Sequence, residues 1–349
     1  MPPCASIRSI GDEADQACFD PDGAMNLAEW IIDSIRWMQQ TLFEAVVLPG
    51  LYAAGWMNVA EPMFDFTEWA VIGAIEVVLV AIVLGTMERL WPAEAVTDRA
   101  AIRTDIAYTL LHRLGGFALL TFALLQPLVD AIESSLRLLG FSRLNIDQTW
   151  PGVTDLPLVS FLIYLVVLDF IDYWLHRGQH RFEVWWQLHA VHHSQRQMTF
   201  WSDQRNHLLD DLIRDAVLAM VAILIGVAPV QFMLLVIASR VLQSLQHANL
   251  RLRWPGLLEG VLVSPSWHRL HHAIGAGHEG PARGVNFAVL FPIWDLLFRT
   301  ADWRPGFVPT GIRDQLSGRD YGQGFWSQQW RALARIAGRD GAPAQGRDT

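Results

Sequence analysis

Lysine is missing altogether: all 26 basic residues of this 349-residue chain are arginine, a bias expected of a GC-rich bacterial genome. Cysteine is nearly missing. Cys4 and Cys18 both stand in the N-terminal tail, too few for a disulfide framework, a thiolate metal site or an iron–sulfur cluster. An excess of positive charge is also lacking. The net charge of -9 argues against nucleic acid as a partner, because a phosphate backbone calls for a basic face. No HExxH motif and no GxGxxG after a strand appear, which removes the usual signatures of a zinc peptidase and of a dinucleotide site. The first 25 residues are acidic and lack the apolar core of a secretory signal.

What the chain has in abundance is apolar surface. At 52% hydrophobic residues and positive mean hydropathy, one membrane-embedded, all-α domain fits better than two soluble ones. A bilayer core takes about 20 helical residues to cross. Four segments approach that length: Thr41 to Trp56, the weakest, then Trp69 to Met87, Ala107 to Val129, and Pro157 to Asp172. A fifth apolar region, Ala216 to Leu245, contains Gly226 and Pro229 and predicts a broken or re-entrant hairpin.

This gives four stretches: a tail with one helix (1–40), membrane helices (41–156), a histidine-rich region (157–300) and a polar C-terminal tail (301–349). Residues 1–25 and those from Ala337 onward read as disordered. The helix over Asn26 to Gln40 lies on a membrane surface or packs on its neighbour, and a further amphipathic helix is expected over Trp326 to Ile336. Arg89, Arg99 and Arg103 follow the second span, and Arg177, Arg181, Arg196, Arg205 and Arg214 follow the fourth. The positive-inside rule places both connections in the cytoplasm. The 27-residue connection from Asp130 to Leu156, with Arg137 and Arg143, then faces out. Glu76 and Glu88 are costly in hydrocarbon. They line a cavity or, as favoured here, make structural hydrogen bonds within the bundle.

Histidine placement is the main functional signal. Between Asp172 and Ser194 the chain carries five histidines in 23 residues. His176 and His180 are four apart, and His189, His192 and His193 form an HxxHH triplet that recurs as His268, His271 and His272. Residues three and four apart share a helix face, so each cluster is expected to aim its imidazoles at one point. Eight clustered imidazoles exceed what one tetrahedral zinc takes, and two neighbouring metal ions are the simpler account. Ser264 and Pro265 read as N-cap and first helical residue of the third box. Carboxylate-bridged di-iron bundles use Glu-x-x-His, which is absent.

The order HxxxH, HxxHH, HxxHH resembles the fatty acid hydroxylase and sterol desaturase superfamily of membrane di-iron enzymes. The similarity runs from about Pro157 to Thr300 and includes Asp172, Arg177, Ser194, Asn286 and the closing element Trp294, Asp295, Phe298. It implies two iron ions, O2 as co-substrate, and hydroxylation of a lipid C–H bond, with desaturation as a variant. His247 is the best further ligand it suggests, with His207 and His278 weaker. Asp172, Asp210, Asp211, Asn286 and Asp295 are candidates to hold the second ring nitrogen of ligating histidines, with caps or solvated residues as the alternative; of the aspartates only Asp172 and Asp295 fall inside the similarity. No cytochrome b5 domain or reductase module is visible, so a separate electron donor, a ferredoxin or a cytochrome b5-like protein with its reductase, is implied. Bacterial inner membrane with the boxes facing the cytoplasm is the expected location. A metal transporter or a membrane zinc hydrolase are the competing readings. Against them stand boxes that follow the spans rather than lying inside them, and the missing HExxH.

Overall fold

The computed structural model describes residues 27–141, 144–304 and 306–339. Both cysteines, Arg143 and most of the two tails expected to be disordered lie outside the described residues. Contacts divide the chain into two units, meeting at Phe64 and Asp65.

In the first unit, α1 (Leu27–Leu42) continues through a π-helical turn, Phe43–Val47, into α2 (Leu48–Ala54), which Gly55 ends in a left-handed conformation. Thr41 to Trp56 is not among the described segments long and apolar enough to cross a membrane. Its apolar stretch runs only to Ala54 before the chain turns. α1 does form as the amphipathic pattern predicts, with Trp30, Ile31 and Trp37 exposed.

The second unit holds the rest of a helical fold: α3 (Ala60–Leu90), which begins just before the boundary, α4 (Arg99–Arg113), α5 (Gly116–Leu138), α6 (Pro157–Arg181), α7 (Glu183–His193), α8 (Leu208–Ile225), α9 (Pro229–His247), α10 (Pro265–His271), α11 (Ile293–Leu297) and α12 (Phe325–Ile336). Among the described residues the only β-type pairings are two isolated bridges. Three segments are long and apolar enough to cross a membrane: Met57–Leu90, Gly116–Leu138 and Pro157–Arg181. Each leaves large apolar side chains uncovered, such as Val78 and Ile82, Leu124 and Leu128, and Leu158 and Leu162. These belts suit lipid, which asks for no polar partner.

The span expected over Ala107 to Val129 is two helices. Gly115 takes φ 81° and separates α4 from α5. α4 buries Asp105, Tyr108, His112 and Arg113, groups that must find partners inside protein. Arg113 is the hub. It pairs with Glu76 on α3 and donates to Asp203 and Ser244 at 2.7 Å each and to the Arg240 carbonyl at 3.1 Å. Glu88 accepts the backbone N–H groups of Phe200 and Asn249. Both acidic residues therefore make structural hydrogen bonds, although Asp203 and Arg240 of this network also line the main cavity.

The fifth apolar region is a helical hairpin: α8 ends at Gly226 (φ 82°) and α9 begins with Pro229 at its first turn. At the far end of the chain, α12 buries Gln328, Gln329, Ala332 and Arg335 and exposes Trp326 and Trp330. Its polar face is the packed one, an arrangement that suits a lipid-water boundary.

Gly73 marks the closest helix approach in this unit, since a Cβ there would lie 1.6 Å from the Arg113 carbonyl oxygen. Gly73→Ala must push α3 off the α4–α5 turn and is expected to cost about 1–3 kcal/mol, seen as a lower Tm in detergent. At Gly85 a Cβ would meet only a Phe200 ring carbon at 3.5 Å, so Gly85→Ala should leave Tm unchanged or slightly raised.

Candidate metal centre

The polar end of α6 runs into α7 with a single residue, Phe182, between them. α6 thus carries His176 and His180 out of its apolar stretch and sets them against His189, His192 and His193. Ser264 caps α10 by accepting the Trp267 N–H at 3.1 Å, with Pro265 in the first turn, as the sequence indicates. The α9 terminus supplies His247.

Nine buried histidines form two groups. His176, His180, His189, His193 and His271 make one, and His192, His247, His268 and His272 the other; within each, the ligand atoms lie within 4.8 Å of one another. The groups are adjacent, with the His193 and His272 rings stacked at 4.4 Å. Neither HxxHH triplet serves one point, contrary to the sequence expectation. His189 and His193 turn to the first group and His192 to the second, whereas His268 and His272 serve the second and His271 the first. The reason is helical geometry: i and i+4 nearly eclipse, but i+3 and i+4 differ by about 100°. Each triplet therefore straddles two centres.

Hydrogen bonds fix which nitrogen each ring presents. His176 Nδ1 donates to the Phe287 carbonyl at 2.7 Å, His271 Nδ1 to Val285 at 2.7 Å, His180 Nδ1 to Arg283 at 3.2 Å and His247 Nδ1 to Gln243 at 2.8 Å. His189 Nδ1 bonds the Asp210 carboxylate at 3.0 Å. A carbonyl only accepts, so each such ring is protonated at Nδ1 and offers an Nε2 lone pair. In the first group, Nε2 of His180, His189, His193 and His271 is buried without a protein partner.

In the second group the Nε2 atoms crowd each other: 3.2 Å from His247 to His192, 3.0 Å from His268 to His247 and 3.1 Å from His272 to His268. His247, whose Nδ1–H goes to Gln243, offers an Nε2 lone pair here, and with the other three rings in the same tautomer four lone pairs this close would repel unless a cation sat among them. Ligand nitrogens about 2.1 Å from a metal stand about 3.0–3.4 Å apart in octahedral or tetrahedral arrangements, so the spacing fits.

Charge agrees with this. Burial and neighbouring imidazoles hold His192, His193, His268 and His272 well below their usual pKa, and burial depresses His271 to about 3. All five are neutral near pH 7, the form that binds metal.

The remaining candidates fall elsewhere. His207 is an N-cap for α8, accepting the Leu209 N–H, and its Nε2 bonds the Gln329 carbonyl. His278 stacks on Trp186 at 3.5 Å and reaches no closer than 6.0 Å, ring to ring, to His180. Neither enters a group. Of the five candidate orienting residues, Asp210 holds His189, and Asp211 bonds His112, outside the groups, at 2.9 Å; Asp172, Asn286 and Asp295 touch no imidazole directly. Asp172 pairs bidentately with Arg214. Asp295 accepts the N–H groups of Phe287 and Ala288, and Asn286, at φ 57°, ties Trp267 to Asp302. These two act one step further out, by fixing the backbone whose carbonyls hold His176 and His271. No sequence pattern marks those carbonyls. Asp210 carries an unusual load for one carboxylate, since it also accepts from Gln179 and Trp185.

The inner end of a cavity of about 470 Å³ is lined by His176, His189, His192, His247 and His268. Fold and site together define a class: a helical membrane protein whose interior holds two adjacent all-histidine groups able to take a metal ion. Comparison with known proteins gives the family. Residues 161–300 match the model of the fatty acid hydroxylase family. The ornithine lipid hydroxylase OlsE of Rhizobium tropici is 26% identical over 257 residues, covering 72% of this chain and 73% of that protein. The alkylglycerol monooxygenases of Caenorhabditis elegans and Homo sapiens are 29% and 30% identical over 144 and 154 residues. The chain spans only 26% and 31% of their lengths. No solved structure matches. Residues 161–300 thus carry the pattern of the fatty acid hydroxylase family, the relatives that share it are a hydroxylase and monooxygenases, and the chain is an oxidoreductase.

Two outcomes follow from this geometry. Asp295→Ala leaves all nine imidazoles in place but frees the backbone at Phe287, and should weaken metal binding by about 10–100-fold, measured by metal analysis after dialysis against a chelator. The second concerns acid. His271 is harder to protonate folded than unfolded, so its contribution to stability is complete above about pH 6.5 and is lost as pH falls toward about 3. Metal content and Tm of the purified protein should both drop across that window.

Proposed function

We propose that this protein is an O2-dependent di-iron monooxygenase that hydroxylates a C–H bond of a membrane lipid. The observation that carries the reading is the pair of adjacent, all-histidine groups at the inner end of a cavity that is apolar further out. Imidazole suits iron, and no carboxylate belongs to either group. The proposed ligands are His176, His180, His189, His193 and His271 for one ion and His192, His247, His268 and His272 for the other. Iron held there supplies activation of O2. One oxygen atom enters the C–H bond and the other leaves as water, which consumes two electrons and two protons.

The chain's own contributions are positional. The carbonyls of Arg283, Val285 and Phe287 keep three rings facing inward, Asp210 does the same for His189, and the apolar lining excludes bulk water from the reacting end. Desaturation by the same oxidant remains a variant. A zinc hydrolase reading lacks a carboxylate base within the groups, and a transporter reading lacks ligands arranged along a span. The names of the relatives point to ornithine lipids and alkylglycerol ethers as the substrate types to test first.

Exposed arginines Arg89, Arg99, Arg103, Arg181 and Arg196 support a bacterial inner-membrane orientation with the histidines toward the cytoplasm. A soluble donor, a ferredoxin or a cytochrome b5-like protein with its reductase, would deliver electrons from that side.

The test is iron content and Mössbauer spectra of protein from iron-replete cells, together with lipid extracts made with and without the gene. About two coupled irons per chain and a lipid gaining one oxygen are expected. Zinc alone, with no iron site recoverable on reconstitution, would overturn the reading. Replacing His271 or His192 by Ala should each remove one ligand from a different ion, abolish hydroxylation and leave membrane insertion intact.

A further inference from the structure

The cavity is layered, and the three helices α6, α8 and α9 that line it change character in the same direction. On α6, Leu165 and Leu168 give way to Asp169, Asp172 and then His176; on α9, Phe232 and Leu235 give way to Arg240, Gln243, Gln246 and then His247. α8 of the hairpin follows suit, with Leu218 and Ile223 in the outer part and Arg214, Asp215 and Asp211 nearer the histidines. The order is therefore apolar mouth, polar belt, imidazoles. A lipid that put its hydrocarbon chain at the iron would have to draw methylenes through that belt, and leave buried charges against apolar groups at a cost.

Most of the belt is already satisfied. Asp172 pairs with Arg214, Asp203 with Arg113, and Asp211 with His112. Arg240 is the exception. It lines the cavity, and among the described residues its guanidinium makes no hydrogen bond and no ion pair. The acidic residues whose field it feels, Glu76, Asp203 and Asp215, are engaged by other arginines, though not completely: Arg113 takes one oxygen of each of the first two, leaving Glu76 Oε2 and Asp203 Oδ1 without a partner, and Arg214 lies 3.6 Å from the third. One turn and a half further along α9, Gln246 is 2% exposed. Both of its amide atoms are buried without a partner. The Thr121 hydroxyl, also on the cavity wall, lacks a partner too. Buried donors and acceptors without partners are the groups a polar ligand would satisfy.

We infer that the substrate is a lipid bound head first, whose oxyanion is held by Arg240 and whose reacting C–H bond lies in the headgroup, beyond that oxyanion and beside Gln246. This rests on the hydroxylase reading and deepens it. A guanidinium is a planar fork of donors matched to a carboxylate or phosphate. From Arg240 to His247 is seven residues, or about 10 Å along the helix. An arm of a few bonds attached at the oxyanion spans that interval, while the acyl or alkyl chain stays in the apolar mouth. Neutral sterols and ether glycerols carry no oxyanion for Arg240. Two sources offer the chemistry: the carboxylate of an amino-acid lipid and the phosphate of a phospholipid.

The experiment measures binding and turnover separately, on the full iron-loaded protein in detergent. Native mass spectrometry follows association with an ornithine lipid, phosphatidylethanolamine, phosphatidylglycerol and an alkylglycerol. Tandem mass spectrometry then locates any added oxygen. Wild type should retain an oxyanion-bearing lipid over the alkylglycerol, and the preferred member separates carboxylate from phosphate. Arg240→Met should weaken that binding by about 10–100-fold, leave iron content unchanged and not alter the weak binding of alkylglycerol. Arg240→Lys, which keeps the charge but not the fork, should fall between.

The added oxygen should appear on the headgroup fragment. Preference of wild type for the alkylglycerol, oxygen on the hydrocarbon chain, or an equal loss of all lipids in Arg240→Met would each overturn the proposal. The wild-type comparison needs no variant to fold. Binding that depends on Arg240 without any oxygenated product would instead sink the hydroxylase reading and leave headgroup recognition standing.

Discussion

The structure depends on keeping nine imidazoles buried and pointed at two places. An imidazole taken out of water must either bond both nitrogens or leave one for a ligand. Here four of the Nδ1–H groups go to backbone carbonyls, three of them from the short stretch Arg283 to Phe287. That stretch belongs to no helix, and Asp295 and Asn286 hold it in shape through their hydrogen bonds to backbone. The metal-facing nitrogens are thus defined by a piece of irregular chain whose own polar groups are satisfied from behind. Irregular backbone inside a membrane protein is tolerated only under that condition.

The same economy explains why the polar groups of the interior come in closed sets. Arg113 joins Glu76, Asp203 and Ser244, linking α3, the turn after α7, and α9. Asp169 accepts from Leu290, Phe291 and Trp294 and so fastens α6 to the segment leading into α11. Each set fixes the relation of a membrane helix to the histidine-bearing part of the chain. Breaking one would shift ligands by way of backbone rather than by direct contact. On the cavity wall, Arg240 and Gln246 differ from the members of these sets in lacking any side-chain partner, whereas Arg113, Glu76 and Asp203 each leave only one atom unbonded.

Much of this is legible in the residues alone. Ligand spacing, the Ser264–Pro265 cap, the break near Gly226 and Pro229, and the amphipathic helix ending the chain all rest on local rules, and local rules survive folding. The misjudged spans fail for local reasons too. Thr41 to Trp56 is apolar enough to draw attention but too short, and Ala107 to Val129 hides a left-handed glycine between a polar helix and an apolar one. Hydropathy averaged over a window passes over a single residue at positive φ. His207 and His278 have the right chemistry, but a cap on α8 and a stack on Trp186 take them.

The sequence by itself determined that this is a helical membrane protein with histidine clusters at metal-ligand spacing, because composition, helical period and residue spacing are properties of the chain alone. It did not determine how those imidazoles are shared. Only the tertiary structure decided that each HxxHH triplet divides two to one between the groups, that His247 completes the second, and that backbone carbonyls from residues more than 100 positions away in the chain orient His176 and His180. The physical reason is that a helix face points in one direction, whereas a centre of four or five ligands must be approached from several. Those directions come from helices that meet only when the chain folds.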